Sequence, residues 1–256
     1  MSGPNVEQLF ARTLEGAYDD DEPWEAVHTL RLLGTRDVFE LAAQWCASSD
    51  PLKRARGADV IAQLGKTVEW RCNSFPDDSF SVISRMLREE QEIRPLTSAI
   101  VALGHLDNPS GIPLIRPYEA HPSSLVRDAV AFALGCYPNE TKAIQGLIKL
   151  TADVDEDVRD WATFGLGVLG DGDTAEIRDA LAARLSDVNI DAREEAVVAL
   201  AKRKDCRVLS TLTEMLSQPE PGSRAFEAAS LMLGIEQNDP ELHGLHYIAA
   251  LNERFS

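Results

Sequence analysis

Apolar and small residues recur at helical spacing along most of this chain, and each set follows an arginine. After Arg127 they stand at positions +3, +4 and +7, as Val130, Ala131 and Leu134. The same three positions after Arg193 are also apolar or small. Residues at these spacings lie on one face of an α-helix. The pattern therefore predicts a series of helices that each bury one face.

The phrase that begins with the arginine returns at a nearly constant interval. Its arginines are Arg54, Arg94, Arg127, Arg159, Arg193 and Arg224. The intervals between them, by subtraction, are 40, 33, 32, 34 and 31 residues. A period of this length is typical of stacked helical hairpins, in which each unit contacts only its neighbours. Second apolar helices, such as the one that carries Ile177 and Leu181, lie between the arginine helices.

We therefore predict an all-α fold, a right-handed α-solenoid of about six to seven helical hairpins. The array forms one domain over 1–256, with an N-terminal segment or capping helix at 1–21, a degenerate first repeat at 22–48 and six repeats at 49–250. Residues 66–76 lengthen one repeat and are predicted to be an insertion. Asp50-Pro51, Asn108-Pro109 and Asp239-Pro240 each place a capping residue before a proline and are predicted to begin helices.

The run DVRDWATF at 157–164 resembles the HEAT repeat, in the short form found in bacterial proteins similar to phycobilin lyases. The resemblance extends over about 22–250. More narrowly, this run and RKDCRVLS at 203–210 resemble bacterial HEAT proteins that are encoded beside Rhs-type toxin genes and proposed as immunity proteins. In HEAT proteins the repeated arginine pairs with an aspartate of a neighbouring unit. The resemblance therefore implies a structural ladder through Arg94, Arg127, Arg159 and Arg193, with aspartates such as Asp155 or Asp191.

The charge of the chain limits its partners. Of its 256 residues 42 are acidic and 25 are basic, which gives a net charge of −17. That field repels phosphate backbones, so we expect no nucleic-acid partner. It attracts a basic protein, although solubility alone also explains an acidic surface.

The cysteines and the apolar runs predict a cytoplasmic protein. Cys46, Cys72, Cys136 and Cys206 show no Cys-x-x-Cys spacing, so neither a zinc site nor a disulfide framework is expected. The start of the chain lacks a signal-peptide pattern, and no run approaches the length needed to cross a bilayer.

Two sequence patterns resemble functional motifs but lack the context that those motifs require. Residues 165–170 spell G-x-G-x-x-G, but that dinucleotide fingerprint needs a preceding strand, and here the glycines fall toward the end of a predicted helix. His243 and His246 have metal-ligand spacing without a third ligand. We therefore expect no catalytic residues, no cofactor and no metal, and predict that the protein is not an enzyme.

The candidate partner-binding residues are carboxylates of the inter-repeat loops and second helices and two aromatic residues of the insertion. They are Asp153, Asp155, Asp171, Asp173, Glu176, Asp179, Asp187, Asp191, Trp70 and Phe75. The alternative for the aromatic residues is packing against the repeats. The leading hypothesis is an immunity protein that binds a basic toxin domain through an acidic concave surface. The alternatives are a phycobilin-lyase-like protein or cofactor chaperone, and a general interaction scaffold.

Overall fold

The computed structural model describes residues 5–235 and 243–255, and within them the chain is helical, without a strand. The α-helices are α1 (Val6–Arg12), α2 (Asp21–Leu33), α3 (Arg36–Cys46), α4 (Pro51–Ala62), α5 (Pro76–Glu89), α6 (Ile93–His105), α7 (Ile112–Ile115), α8 (Ser124–Gly135), α9 (Thr141–Leu150), α10 (Glu156–Phe164), α11 (Ala175–Ala182), α12 (Ile190–Lys202), α13 (Leu209–Leu216), α14 (Ser223–Leu233) and α15 (Gly244–Phe255). The predicted all-α class is confirmed.

The chain divides into two compact units, Met1–Tyr137 and Pro138–Ser256. Two of the predicted helix starts lie in the first unit. Asp50 caps α4 by accepting from the Leu52 amide, with Pro51 in the first turn, and Asn108 caps a 3₁₀ turn at Pro109–Gly111. The third, Asp239-Pro240, lies outside the described residues. The prediction of one continuous array stays a prediction.

In the first unit the arginine helices α4, α6 and α8 pack side by side, and α3, α5 and α7 flank them. Small residues allow close approach. A Cβ atom on Gly57 would lie 2.6 Å from the Ala42 carbonyl oxygen, and one on Gly104 would lie 2.8 Å from the Cα of Ala133. Glycine is therefore required where α4 meets α3 and where α6 meets α8.

A buried polar network ties the N-terminal segment to the first unit. Arg56 is 0% exposed and donates to the carbonyl oxygens of Thr13 (2.9 Å) and Tyr18 (2.6 Å). Its guanidinium also pairs with Asp59 at 3.4 Å and lies 3.9 Å from the centroid of the Tyr18 ring. The Tyr18 hydroxyl donates to Asp59 at 2.6 Å and contacts Ser98 at 2.9 Å. The network holds residues 13–18 against α4 and α6.

In the second unit α10, α12 and α14 form the corresponding layer, flanked by α9, α11 and α13, while α15 packs on α13 and α14. A π-helical turn at Gly165–Leu169 continues directly from α10, so the glycine-rich run lies in a helix and no strand precedes it. A Cβ atom on Gly167 would lie 2.5 Å from the Cβ of Ala199, which explains the glycine there by helix packing.

Arg203 holds the end of this π-helical turn. It is 7% exposed and donates to five backbone carbonyl oxygens, at 2.9 to 3.2 Å. The acceptors are Leu166, Gly167, Gly170, Gly172 and Ala199. One side chain thus satisfies carbonyl groups that the irregular end of the helix leaves without amide partners.

Candidate functional site

Arg159 connects two successive inter-repeat turns of the second unit. Its Nε and Nη2 atoms bind both oxygens of Asp187, at 2.8 and 2.7 Å. Its Nη1 donates to the carbonyl oxygens of Asp153 (3.1 Å) and Val154 (3.2 Å) in its own turn. Arg54 repeats this arrangement in the first unit, with Glu90 as its carboxylate. A bidentate, partly buried pair of this kind fixes the relative position of the two turns.

Arg127 and Arg193 repeat the contact with the carbonyl oxygens of their own turns. Arg127 binds the carbonyl oxygens of His121 and Pro122, and Arg193 binds that of Asp187. Arg94 does not form a rung: it lies over the Tyr18 ring at 4.2 Å and pairs with Asp19 at 3.6 Å.

The two aspartates expected as ladder partners have other positions, so that expectation was wrong. Asp155 caps α10 by accepting from the amides of Asp157 and Val158, and Asp191 is exposed in the first turn of α12. The ladder carboxylate is Asp187, which was predicted to bind a partner. It is 7% exposed, and the hydrogen bonds from Arg159 lower the pKa of its carboxyl group. Asp187 is therefore engaged inside the protein.

We call residues 153–157 and 187–191, the two turns joined by Arg159, the turn edge. Val154 is 92% exposed and Val188 is 80% exposed, and each stands five residues before its repeat arginine. Ile190 is 59% exposed beside them. The exposed acidic residues of the turn edge are Glu156, Asp157 and Asp191, while Asp153 and Asp155 are half-buried. The turn edge therefore combines projecting aliphatic side chains with carboxylates on turns that the ladder holds.

Most of the candidate carboxylates at 171–179 are neutralised by arginine or lysine. Asp171 pairs with Lys202 at 2.7 Å, Asp173 with Arg178 at 2.6 Å, and Asp179 with Arg207 at 2.6 Å. The partners of Asp171 and Asp173 lower the pKa of these carboxyl groups. Glu176 is exposed in the first turn of α11. The ion-paired residues at 171–207 form what we call the mixed-charge network, in which three of the four predicted partner-binding carboxylates already have a cationic partner.

A second group of carboxylates lies on the face shared by α10, α12 and α14, and of its members only Asp191 was predicted from the sequence. We call it the carboxylate cluster; its members are Asp157, Asp160, Asp191, Glu195 and Glu227. Glu195 is 9% exposed and accepts a hydrogen bond from Arg224 at 2.6 Å. Even so, burial first, and then the charges of Asp160, Glu227 and Asp191, raise the pKa of Glu195 to about 7. Burial and the charges of Asp191 and Asp157 also raise the pKa of Asp160.

Glu195→Gln is expected to stabilise the protein at pH 8 and to change little at pH 4. The folded state binds a proton at Glu195 more tightly than the unfolded state, since its pKa rises from 4.5 to about 7. Stability from this group is therefore present below pH 4.5 and is lost as the pH rises through 7. Glutamine keeps the oxygen that faces Arg224, so we expect a gain of about 1 kcal/mol in unfolding free energy at pH 8.

Urea denaturation at the two pH values measures this difference. The hydrogen bond from Arg207 lowers the pKa of Asp205 to about 2. The stabilising charge of Asp205 is therefore lost in stronger acid, and the comparison is made at pH 4 and above. A stability gain of equal size at both pH values would show that burial and the neighbouring carboxylates do not destabilise the ionised form of Glu195.

The insertion at 66–76 is pinned at its base and exposed at its tip. Asn73 donates to the Ile61 carbonyl oxygen at 2.7 Å and accepts from the Phe75 amide. At the tip, the Thr67 amide donates to the Trp70 carbonyl oxygen at 2.7 Å, and Val68 and Trp70 are 94% and 62% exposed. A groove of about 790 Å³ beside the tip is lined by His28, Leu32, Gln63, Lys66, Thr67, Val68, Glu69 and Arg71.

The two aromatic candidates of the insertion have different environments. The Phe75 ring contacts Phe39 at a centroid distance of 5.4 Å, and the Arg36 guanidinium lies 4.1 Å from its centroid. Phe75 therefore packs against α3, as the alternative interpretation held. Trp70 is exposed to solvent.

No group of three or more histidine, cysteine or acidic side chains in the described residues has the geometry to hold a metal ion. The rings of His243 and His246 stack at 5.9 Å, and the His243 amide donates to Nδ1 of His246. Across 5–235 and 243–255, no helix has both the length and the apolar character needed to span a bilayer.

The helical pairs and their arginine ladder define a repeat protein of the HEAT type. The family model for HEAT repeats matches residues 81–167 and 144–232, and the chain belongs to this family. Among characterised sequences, Protein YibA of Escherichia coli K12 is 30% identical over 210 residues, which cover 80% of this chain and 72% of YibA.

A solved structure shares the fold of this chain. The crystal structure of YibA from E. coli has a TM-score of 0.75 and 24% identity, and covers 99% of this chain and 93% of YibA. The complex of CpcE and CpcF of phycocyanin lyase from Nostoc sp. PCC7120 has a TM-score of 0.46 at 20% identity, covering 90% of this chain and 82% of that one. A similarity that low carries no argument about activity.

Proposed function

We propose that this HEAT protein is a non-enzymatic binding protein that holds a basic protein partner on the turn edge. The observation that carries the proposal is the exposure of Val154 and Val188, 92% and 80%, at the same position of two successive repeats. Two aliphatic side chains held in repeat register and surrounded by carboxylates have the composition of a contact surface rather than of scattered surface residues.

The rigidity of the turns favours binding. Arg159 connects both turns through its own-turn carbonyl oxygens and the buried Asp187 carboxylate. Little conformational entropy is then lost when a partner contacts the valines, because the backbone that carries them is already ordered.

The charge supports a basic partner. Residues 138–256 contain 22 Asp and Glu against 12 Lys and Arg. Arg178, Lys202 and Arg207 are engaged with the carboxylates of the mixed-charge network. Glu156, Asp157 and Asp191, by contrast, are exposed beside the valines. An excess of negative charge at this edge accelerates encounter with a positive surface and makes the complex sensitive to salt.

The more specific form of the proposal is an immunity protein that acts in the cytoplasm on a basic toxin domain. Its support is the resemblance of 157–164 and 203–210 to HEAT proteins encoded beside Rhs-type toxin genes, together with the acidic turn edge. Free thiols at Cys46, Cys72, Cys136 and Cys206 suit a reducing compartment. A toxin gene beside the gene for this chain, and protection of growth on co-expression, are the expected findings.

The binding surface is tested by Val154→Ser with Val188→Ser in one protein. The partner is the purified toxin domain encoded by the neighbouring gene, and calorimetry measures the dissociation constant. Removal of both aliphatic contacts should weaken binding about tenfold or more. Val68→Ser is the matched control, because Val68 is 94% exposed but lies in the first unit.

Wild-type binding should also weaken as salt increases. Equal affinity of the double variant and the wild-type protein would exclude the turn edge as the surface. The absence of a neighbouring toxin gene would remove the immunity form of the proposal.

A further inference from the structure

The groove beside the tip of the insertion is a partly apolar concavity on the first unit. It has a volume of about 790 Å³, is lined by residues of α2, the end of α4 and the insertion, and is called here the insertion groove. Leu32 and Val68 contribute apolar surface to it, at 50% and 94% exposure. Trp70, at the same tip, is 62% exposed. Exposed apolar side chains around a concavity of this size are typical of a binding surface.

Hydrogen bonds fix the shape of the insertion groove. At the tip, the Thr67 amide donates to the Trp70 carbonyl oxygen at 2.7 Å, and the Trp70 amide donates to Oγ1 of Thr67 at 2.9 Å. At the base, the Lys66 ammonium group donates to the His105 carbonyl oxygen, and Nε2 of Gln63 lies 2.9 Å from Nε2 of His105. Because these residues are already ordered, little conformational entropy is lost when another segment enters the groove.

The insertion groove has more basic than acidic side chains, although the chain as a whole has a net charge of −17. Its basic residues are His28, Lys66 and Arg71, and its acidic residue is Glu69. Arg71 is exposed and takes part in no ion pair within the described part of the chain. Its guanidinium is therefore available to a carboxylate from outside the molecule.

The turn edge of the second unit has the complementary composition. Its exposed side chains are three aliphatic residues and three carboxylates: Val154, Val188, Ile190, Glu156, Asp157 and Asp191. The aliphatic side chains project from their turns, whereas the insertion groove is concave. The two surfaces are therefore both partly apolar and are opposite in charge, and each is found on every copy of the chain.

We propose that the turn edge of one molecule docks into the insertion groove of a second copy of this chain. Val154 and Val188 enter the groove against Leu32 and Val68, and Arg71 pairs with the exposed carboxylates of the turn edge. This inference goes beyond the proposed function and shares only the turn edge with it. A second copy and a basic partner therefore compete for the same surface.

This contact joins two different surfaces, so it is heterologous. Each bound pair leaves one turn edge and one insertion groove free, and further copies can add to them. The net charge of each copy opposes association at long range. At about 0.15 M salt, however, the Debye length is about 8 Å, so this repulsion is largely screened while ion pairs in contact remain. We therefore expect a weak association that depends on protein concentration.

Sedimentation equilibrium of the full chain at about 0.15 M salt tests the proposal. The weight-average mass of the wild-type protein should rise with concentration above the monomer value of 28.1 kDa. The edge variant is Val154→Ser with Val188→Ser, and the groove variant is Val68→Ser with Arg71→Glu. Each of them alone should associate about tenfold more weakly or less, because each lacks one of the two surfaces.

An equimolar mixture of the two variants gives the sharpest result. The edge variant keeps an intact insertion groove and the groove variant keeps an intact turn edge. The mixture should therefore form a heterodimer of about twice the monomer mass and no larger species. Leu245→Ser with Arg88→Glu makes the same types of change at exposed positions elsewhere and should associate like the wild-type protein.

Three results would overturn the proposal. The first is a wild-type protein that remains monomeric up to about 0.5 mM. The second is a groove variant or an edge variant that associates as tightly as the wild-type protein. The third is a mixture of the two variants that is no heavier than its separate components.

Binding of the toxin domain separates this inference from the proposed function. The groove variant should bind the toxin domain as tightly as the wild-type protein, since its turn edge is unchanged. If the wild-type protein is monomeric but the edge variant loses toxin binding, the proposed function stands and the self-association is wrong. If the two surfaces mediate self-association but the edge variant binds the toxin domain normally, the proposed function is wrong and this inference stands.

Discussion

Arg56→Ala is expected to lower the free energy of unfolding by about 3–5 kcal/mol, because it leaves a buried carboxylate without its cation. Arg56 is 0% exposed and joins Asp59 to the carbonyl oxygens of Thr13 and Tyr18. Burial already raises the pKa of Asp59 against the opposing effects of Tyr18, Ser98 and the arginines. Without Arg56, Asp59 must take up a proton or remain charged in an apolar environment, and residues 13–18 lose two hydrogen bonds.

Urea denaturation followed by tryptophan fluorescence measures this loss, since Trp24 lies 5.0 Å from the Arg56 guanidinium. Arg88→Ala is the matched control; Arg88 is exposed on α5 and its removal should change stability by less than about 0.5 kcal/mol. Adding Asp59→Ala to Arg56→Ala should recover part of the loss by removing the unpaired charge. Similar stability of Arg56→Ala and Arg88→Ala would show that the network contributes little.

Arg203→Met is expected to cost about 3 kcal/mol, the second largest effect. Methionine fills a similar volume, but five carbonyl oxygens around the π-helical turn lose their donor. Burial lowers the pKa of Arg203, so its charge is itself partly desolvated, which limits the net cost to a few kcal/mol.

Hydrogen exchange of amides in α10 and α12, together with denaturation, tests the Arg203 substitution. Lys202→Met is the neighbouring control, since Lys202 is exposed and its pair with Asp171 is a surface ion pair worth less than about 1 kcal/mol. Faster exchange in both variants to the same extent would mean that Arg203 does not hold the turn.

The sequence predicted the helices and the repeat period because both depend on local spacing. Arg159 makes a carboxylate contact between successive turns of the kind that the resemblance implies, but its partner carboxylate was misplaced. Asp187 is separated from Arg159 by 28 residues, and an exposed carboxylate such as Asp191 looks identical in a list of residues. Burial distinguishes them, and burial depends on tertiary packing.

The mixed-charge network at 171–207 was missed for the same reason. Asp179 pairs with Arg207, 28 residues away, and Asp205 with Arg178, 27 residues away. These separations approach the repeat period. An arginine about one repeat away from a candidate aspartate could therefore have predicted that the two side chains form an ion pair. Arg56 and Arg203 carried no such signal, because backbone carbonyl oxygens are their main partners and every sequence offers those.

The insertion at 66–76 has a consequence for what the first unit tolerates. Both ends of the insertion are fixed by the residues around them. Near the C-terminal end, the Asn73 side chain donates a hydrogen bond to the Ile61 carbonyl oxygen. Just before the N-terminal end, Gly65 has a positive φ of 77° and lies so close to Ser74 that a Cβ atom would not fit. At the tip, the side chains of Val68 and Trp70 are 94% and 62% exposed. Foreign sequence, such as an epitope or a reporter domain, can therefore be grafted between Val68 and Glu69 while the helices beneath keep their arrangement.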